Sequence, residues 1–564
     1  MKYLSNTSVW LFYILSVAAL ISCNRNNSVP SKELINQINL KRGNIISCGP
    51  PDVQFGSVDF EMTCNEKIKK NFNLAIELLH SFEYDESEKV FAKVIDETPG
   101  CAMAYWGVAM CNFHALWTPP SEAELKKGSK AIEIANTITK KSERESTYIN
   151  AIATFYKNWN KTDHRTRCIN YEKAMEKIHN TYPDDKEASI FYALALDASA
   201  NPNDKTYTNQ KKAGSILNAL YLSEPNHPGI IHYIIHTYDY PGLAELALPS
   251  ARKYAAVAPN SAHALHMPSH TFTRLGLWDE CIKSNLVSVA SAKCYAEQAG
   301  IKGHWDEELH GMDYLIYAYL QKGENKLAYE QLKYLGTINE VHPANFKVAY
   351  AFAAIPSRFF LENKNWNRAA TMQVPPANIS WIQFPWQESI IHFTRLLGAV
   401  HLGNIKNANI ELAKLNQLHD TLEKQKDAYK SLQVAIQIKT GEAWIQFANG
   451  KTTEAQNLMK LSVYMEDGTE KHPVTPGEVL PARELLGDML LQVKQYKNAL
   501  LVYEAVLQKS PNRFNSLYGA GLAAEKSGQN QKAVFHFKQL LNITDIVNSD
   551  RPELIDTRKF LAVH

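Results

Sequence analysis

The chain has 564 residues, 45% of them apolar and 21% charged, with a formal net charge of +2. That length exceeds one simple core and asks for several domains or a repeat array. The near-neutral balance, with no long basic run, excludes the electrostatic footprint of a nucleic-acid binder. Eight cysteines without a C-x-x-C exclude a zinc ribbon or a thioredoxin-type motif.

Lys2 precedes an apolar run from Val9 to Ile21. It is too short for a comfortable membrane helix and reads as a targeting segment. The run ends in Leu20-Ile21-Ser22-Cys23, which resembles a bacterial lipobox. The resemblance implies a signal peptide over 1–22 and a lipidated Cys23 as mature N-terminus; an ordinary signal peptide cut nearby is the alternative. Asn24 stands where an inner-membrane retention signal would place Asp. The expectation is a periplasmic protein held to the outer membrane of a Gram-negative bacterium by its lipid alone. Residues 23–67 read as a tether and a loop-rich segment. Cys48 and Cys64 are candidates to pair in an oxidising compartment. The other cysteines beyond Cys23 sit on apolar helical stretches, as core residues do.

From about Asn71 onward apolar residues recur at three and four, punctuated by Gly, Pro and Asn, which predicts helices nearly throughout. A period near 34 residues runs through them. Leu517, Ala520, Gly521 and Ala524 lead through Gly528 to Ala533 and Phe537; one unit earlier, Leu486, Gly487 and Leu491 lead to Tyr496, Ala499 and Tyr503. This resembles the tetratricopeptide repeat, in which small residues let two helices touch and a large one fills the gap. Further units read at 68–101, 228–261, 262–295 and 309–342, with looser ones elsewhere. The implied fold is an all-α, right-handed α-solenoid of helix-turn-helix repeats, curved enough to close partly on itself. Its expected parts are an array over 68–374 with a His-rich groove, a proline-bearing connector at 375–386, and a second array over 387–564. Two insertions break the period, at 296–308 and at 467–479.

Eight of nineteen histidines fall between His227 and His310. His232 and His236 form one H-x-x-x-H, and His266 and His270 form another 34 residues later. Side chains at i and i+4 share a helix face, so two packed helices would present both pairs on one groove. A first-row ion takes three or four N or O ligands, and these four histidines with Asp239 supply that number. His263 lies on the same face. His310 and Asp313 take groove positions in the next unit, with His304 on the insertion beside them. Without H-E-x-x-H the helix carries no built-in general base.

The segment HALHMPSHTFTRLGLWDECIKSN resembles a group of bacterial tetratricopeptide proteins bearing an HMPSH signature, as do CAMAYWGVAM and EKHPVTPGEVLPARELLGDML. Pro268 inside that segment predicts a kink or restart of its helix. Further groove candidates are Arg358, equally readable as a surface arginine, and His472 and Glu484 around the second insertion. That insertion reads as a lid or as a solvated loop. Two functions stand open. One is a scaffold holding a protein, peptide or small ligand in the concave groove. The other is a metalloprotein or metal-dependent enzyme, hydrolytic or redox, with zinc, copper or iron on the histidines. The same imidazoles also suit acidic ligands or sugars.

Overall fold

The computed structural model describes residues 29–52, 54–375, 377–544 and 549–564. The expected signal peptide and Cys23 lie outside the described residues. The chain is an all-α, tetratricopeptide-like solenoid: helix follows helix, in antiparallel pairs, from Lys69–His80 to Pro552–Leu561. Local chemistry sets the ends. Ser121 and Ser142 open helices with capping boxes closed by Glu124 and Glu145. Pro228, Pro268 and Pro385 occupy first-turn positions, where the missing N–H costs nothing. Gly276 ends its helix in the left-handed region.

The pairs are held by the small-against-large contacts that the repeat pattern implies. A Cβ on Gly487 would stand 2.7 Å from the Tyr503 ring, and one on Gly107 or Gly521 would overlap Phe91 or Phe537. The stretch from 140 to 226, whose pattern is degenerate, folds into regular helix pairs all the same. Gly214 packs under Tyr238 there.

The described residues divide into two compact units, one of 29–45 with 57–199, the other lying within 46–56 and 200–564. The first is built on aromatic rings: Phe60 packs on Phe72, Trp106 and Tyr148, and Trp106 on Phe191. A Cys64–Cys101 disulfide fixes its start. In the second unit Cys48 is bonded to Cys294. Asn260 accepts from the Gln54 N–H at 2.8 Å and donates to the Pro50 carbonyl at 3.0 Å, holding the same loop. The expected Cys48–Cys64 pair is therefore replaced by two others, because each cysteine faces a different helical surface. Cys111, Cys168 and Cys281 are buried free thiols, as expected of core positions, whereas Cys101 and Cys294, expected there too, are the disulfide partners.

The segment read as a connector at 375–386 lies inside the second unit, with Ala377, Ile379 and Trp381 packed on the core of Leu309, Leu315 and Phe352. Within this unit the last repeats meet the middle ones. Trp278 Nε1 donates to the Asn512 carbonyl at 2.9 Å, Asn512 Nδ2 donates to the Gly276 carbonyl at 3.1 Å, and Arg513 Nη1 donates to the Tyr317 hydroxyl at 3.1 Å. The unit thus curls back on itself, as its curvature implied.

Candidate metal centre

Three helical segments of the second unit carry the site: Pro228–Thr237, the broken run Ala262–His266 and Pro268–Leu275, and Asp306–Gln321. The break at Met267 and Pro268 is the predicted one. Each helix is pinned by its opposite, apolar face: Ile231, Ile235, Ala264, Met267, Phe272 and Ala318 share one core cluster. The remaining faces point six imidazoles at one another.

The nitrogens sort into two groups of three, each with ligand atoms within 4.8 Å of one another: His232, His236 and His263, and then His266, His270 and His310. This differs from a single ion shared by His232, His236, His266, His270 and Asp239. The i, i+4 pairs close within their own helices, and each takes its third member from a neighbouring segment. His232 Nε2 lies 3.0 Å from His236 Nε2 and 3.1 Å from His263 Nε2. His266 Nε2 lies 3.1 Å from His270 Nε2, and the His266 and His310 rings are 4.1 Å apart. Two nitrogens each about 2.0–2.1 Å from one ion stand about 3 Å apart at ordinary ligand angles. The second group is buried throughout, whereas His236 and His263 of the first are half-buried.

The second group's proton positions follow from its outer partners. His266 Nδ1 lies 2.6 Å from Asn285 Oδ1, and the Asn285 amide nitrogen is spent on the Cys281 carbonyl at 2.8 Å. Asn285 Oδ1 can only accept, so His266 carries its hydrogen on Nδ1. His270 Nδ1 lies 3.1 Å from Asp239 Oδ2. A carboxylate accepts, so His270 also carries its hydrogen on Nδ1. In the neutral form of each ring the Nε2 then carries the lone pair, and the two Nε2 atoms face each other. Burial drives both imidazoles toward the neutral form, against the opposing pull of Asn285 on His266 and of Asp239 on His270. Burial likewise holds His236 and His310 well below the usual range and His263 at about 3.

Asp239, expected among the ligands, stands outside both groups of three and meets His270 from behind. It accepts from Arg274 Nε at 2.8 Å, from Lys471 Nζ at 2.9 Å and from His270. Burial alone would raise its carboxyl, but the charges of Lys471 and Arg274 hold it well below the usual carboxylate range. Both lone pairs of its Oδ2, the oxygen facing His270, are thereby committed. Tyr314 stands beside the second group, its hydroxyl 3.3 Å from His270 Nε2. Tyr254 stacks on His232 at 5.2 Å.

No family model matches the chain. No curated protein matches it either. Among solved structures, the human IFIT1 dimer with PPP-AAAA is similar at 11% identity over 83% of this chain and 94% of that one, with a TM-score of 0.35. The P58(IPK) TPR domain is similar at 12% identity over 67% and 99%, TM-score 0.20, and Naa15/Naa10 bound to HypK-THB at 12% over 88% and 96%, TM-score 0.23. These are likenesses of helical architecture.

Other expected site residues fall elsewhere. His304 sits in a two-residue parallel pairing with Val341 and bonds Glu308 at 2.8 Å, outside both groups. Asp313 accepts from Arg358 at 3.2 Å. Arg358 is fully buried, not a surface arginine: it also donates to the Gly477 and Glu478 carbonyls at 2.7 and 2.8 Å. Glu484 accepts from Arg513 at 2.8 Å in a buried network with Glu362 and belongs to the scaffold. His472 packs among Phe346, Trp386 and Tyr429, where burial depresses it to about 3. The second insertion, exposed at Asp467, Gly468 and Pro473, is not a detached loop: through Lys471, His472, Gly477 and Glu478 it straps across the histidine side of the unit. Arg274 and Asn285 escape sequence reading, though Arg274 stands four residues after His270 on the same face. Lys471 is visible only as part of a polar loop.

Proposed function

We propose that this chain is a metalloprotein in which a tetratricopeptide-like scaffold holds two three-histidine sites for first-row transition ions. The observation that carries this reading is the facing pair of lone pairs on His266 and His270. At 3.1 Å they repel unless a shared proton or a metal ion sits between them, and both outer nitrogens already spend their hydrogens on Asn285 and Asp239; burial disfavours the extra proton, which leaves the metal ion. The first group adds a second argument. His232 Nε2 meets two other nitrogens at once, yet an imidazole nitrogen offers one lone pair or one N–H in one direction. A single ion among the three nitrogens satisfies both contacts.

The scaffold reading survives as the role of the fold, with the strap of residues 467–479 occupying the histidine side. An ion or a small ligand fits that arrangement better than a peptide laid along the groove. We further propose that the protein is a lipoprotein of the HMPSH-bearing group, anchored through Cys23 in the periplasm. The Leu20-Ile21-Ser22-Cys23 sequence supports this, and so do two disulfides, which persist in oxidising compartments.

Elemental analysis of protein purified without a metal-affinity tag tests the metal reading. Bound zinc, copper or iron is expected, falling by about half in His236→Ala and separately in His310→Ala. Folded protein that neither carries nor takes up these metals would overturn it. For the anchor, metabolic labelling with a fatty acid should mark the wild type and not Cys23→Ala.

A further inference from the structure

We infer that the two groups hold one coupled pair of copper ions. The inference rests on the metalloprotein reading and adds the identity of the metal and the relation between the sites. Proximity comes first. His263 belongs to one group and His266 to the other, three residues apart on one helical run. Cβ atoms at that spacing are about 5–6 Å apart. The rings of His236 and His270, one from each group, are 6.2 Å apart. Two ions so held lie within reach of one bridging ligand, as in two-metal sites with ions roughly 3.5–4 Å apart.

Chemistry comes second. All six ligand atoms are imidazole nitrogens, with no carboxylate among them. Magnesium, calcium and manganese favour oxygen, and paired-iron sites between helices are built largely from glutamates. Imidazole suits copper and zinc, and divalent copper binds more tightly than zinc to a given site.

Charge decides between those two. Four acids on or beside the histidine segments are matched by cations. Asp239 meets Arg274 and Lys471, Asp313 meets Arg358, and Asp306 and Glu307 share Lys347. Four carboxylates face four cations, so these pairs offer no net negative charge. Two zinc ions on six neutral ligands would bury four positive charges, or three with a bridging hydroxide, and two copper(I) ions only two. Unpaired buried charge is costly, so the site favours the monovalent ion. Oxidation to copper(II) then requires an anion between the metals. With ferricyanide as oxidant, each copper(I) gives one electron to one ferricyanide. A water loses one proton to solvent and stays as the bridging hydroxide, and that bridge couples the two spins.

The test loads the metal-free, full-length protein anaerobically with equimolar copper(I) and zinc(II), then oxidises it with ferricyanide. Two coppers per chain are expected, with little zinc, and an integrated paramagnetic resonance signal well below half of the copper present. His310→Ala should hold one copper with its full spin. Full spin from two coppers in the wild type overturns the coupling, and retention of zinc over copper overturns the metal. A folded protein that binds neither ion defeats the metalloprotein reading itself, a distinct outcome.

Discussion

At the scale of single residues, the outer partners separate holding a metal from merely placing histidines near one another. Asn285→Ala leaves all six imidazoles in place but frees the tautomer of His266. Such losses typically cost 10–100-fold in metal affinity; chelator competition should show that drop with the helical signal unchanged. Asp239→Asn strands Arg274 and Lys471 in the interior. Removing one partner of a buried ionic set costs about 3–5 kcal/mol, which denaturant unfolding should register. Glu466 supplies a pH signature away from the histidine groups. Burial, helped by Glu478, pushes its carboxyl up to about 8 from an ordinary 4.5. The unfolded chain sheds that proton near 4.5 while the folded chain keeps it. The contribution is therefore complete below 4.5 and is lost as pH rises toward 8. Glu466→Gln should flatten stability against pH across that window and gain relative to the wild type at its upper end.

At the scale of helices, close approach is the controlling contact. A Cβ on Gly398 would overlap the Ala370 backbone, which no side-chain rotation relieves. Gly398→Ala should cost about 1–3 kcal/mol, as overpacking does, read as a lowered melting temperature. Gly403, at positive φ with open space around it, should respond through backbone strain alone. This scale was the most legible in the sequence, because a 34-residue period of Gly and Ala against Phe and Tyr states the packing directly. The histidine face was legible for the same reason. Its division into two groups was not. Spacing places His232 and His266 on equivalent faces, but the turn at Pro268 and the entry of His310 from a later helix decide which nitrogens converge. Asn285 and Lys471 reach the site only through folding, from 19 and 232 residues beyond their partners, and no local pattern announces them.

At the scale of the whole molecule, the disulfides are the long-range constraint. Cys48–Cys294 spans 246 residues and Cys64–Cys101 spans 37. Removal of a long-loop disulfide commonly costs about 2–5 kcal/mol, so Cys294→Ser should unfold at lower denaturant than the wild type. Cys111, Cys168 and Cys281 should resist a thiol reagent until the chain unfolds, since burial pushes the Cys111 thiol up and holds Cys168 and Cys281 at about 12. The strap has the widest consequence. An open array of repeats behaves like a spring: each unit touches only its neighbours, and it stretches, breathes or frays from an end. Lys471 on Asp239 and Arg358 on the Gly477 and Glu478 carbonyls tie distant coils of that spring together. Force applied at the C-terminus should then meet one tall barrier in single-molecule pulling, where an untied solenoid gives a staircase of small ones.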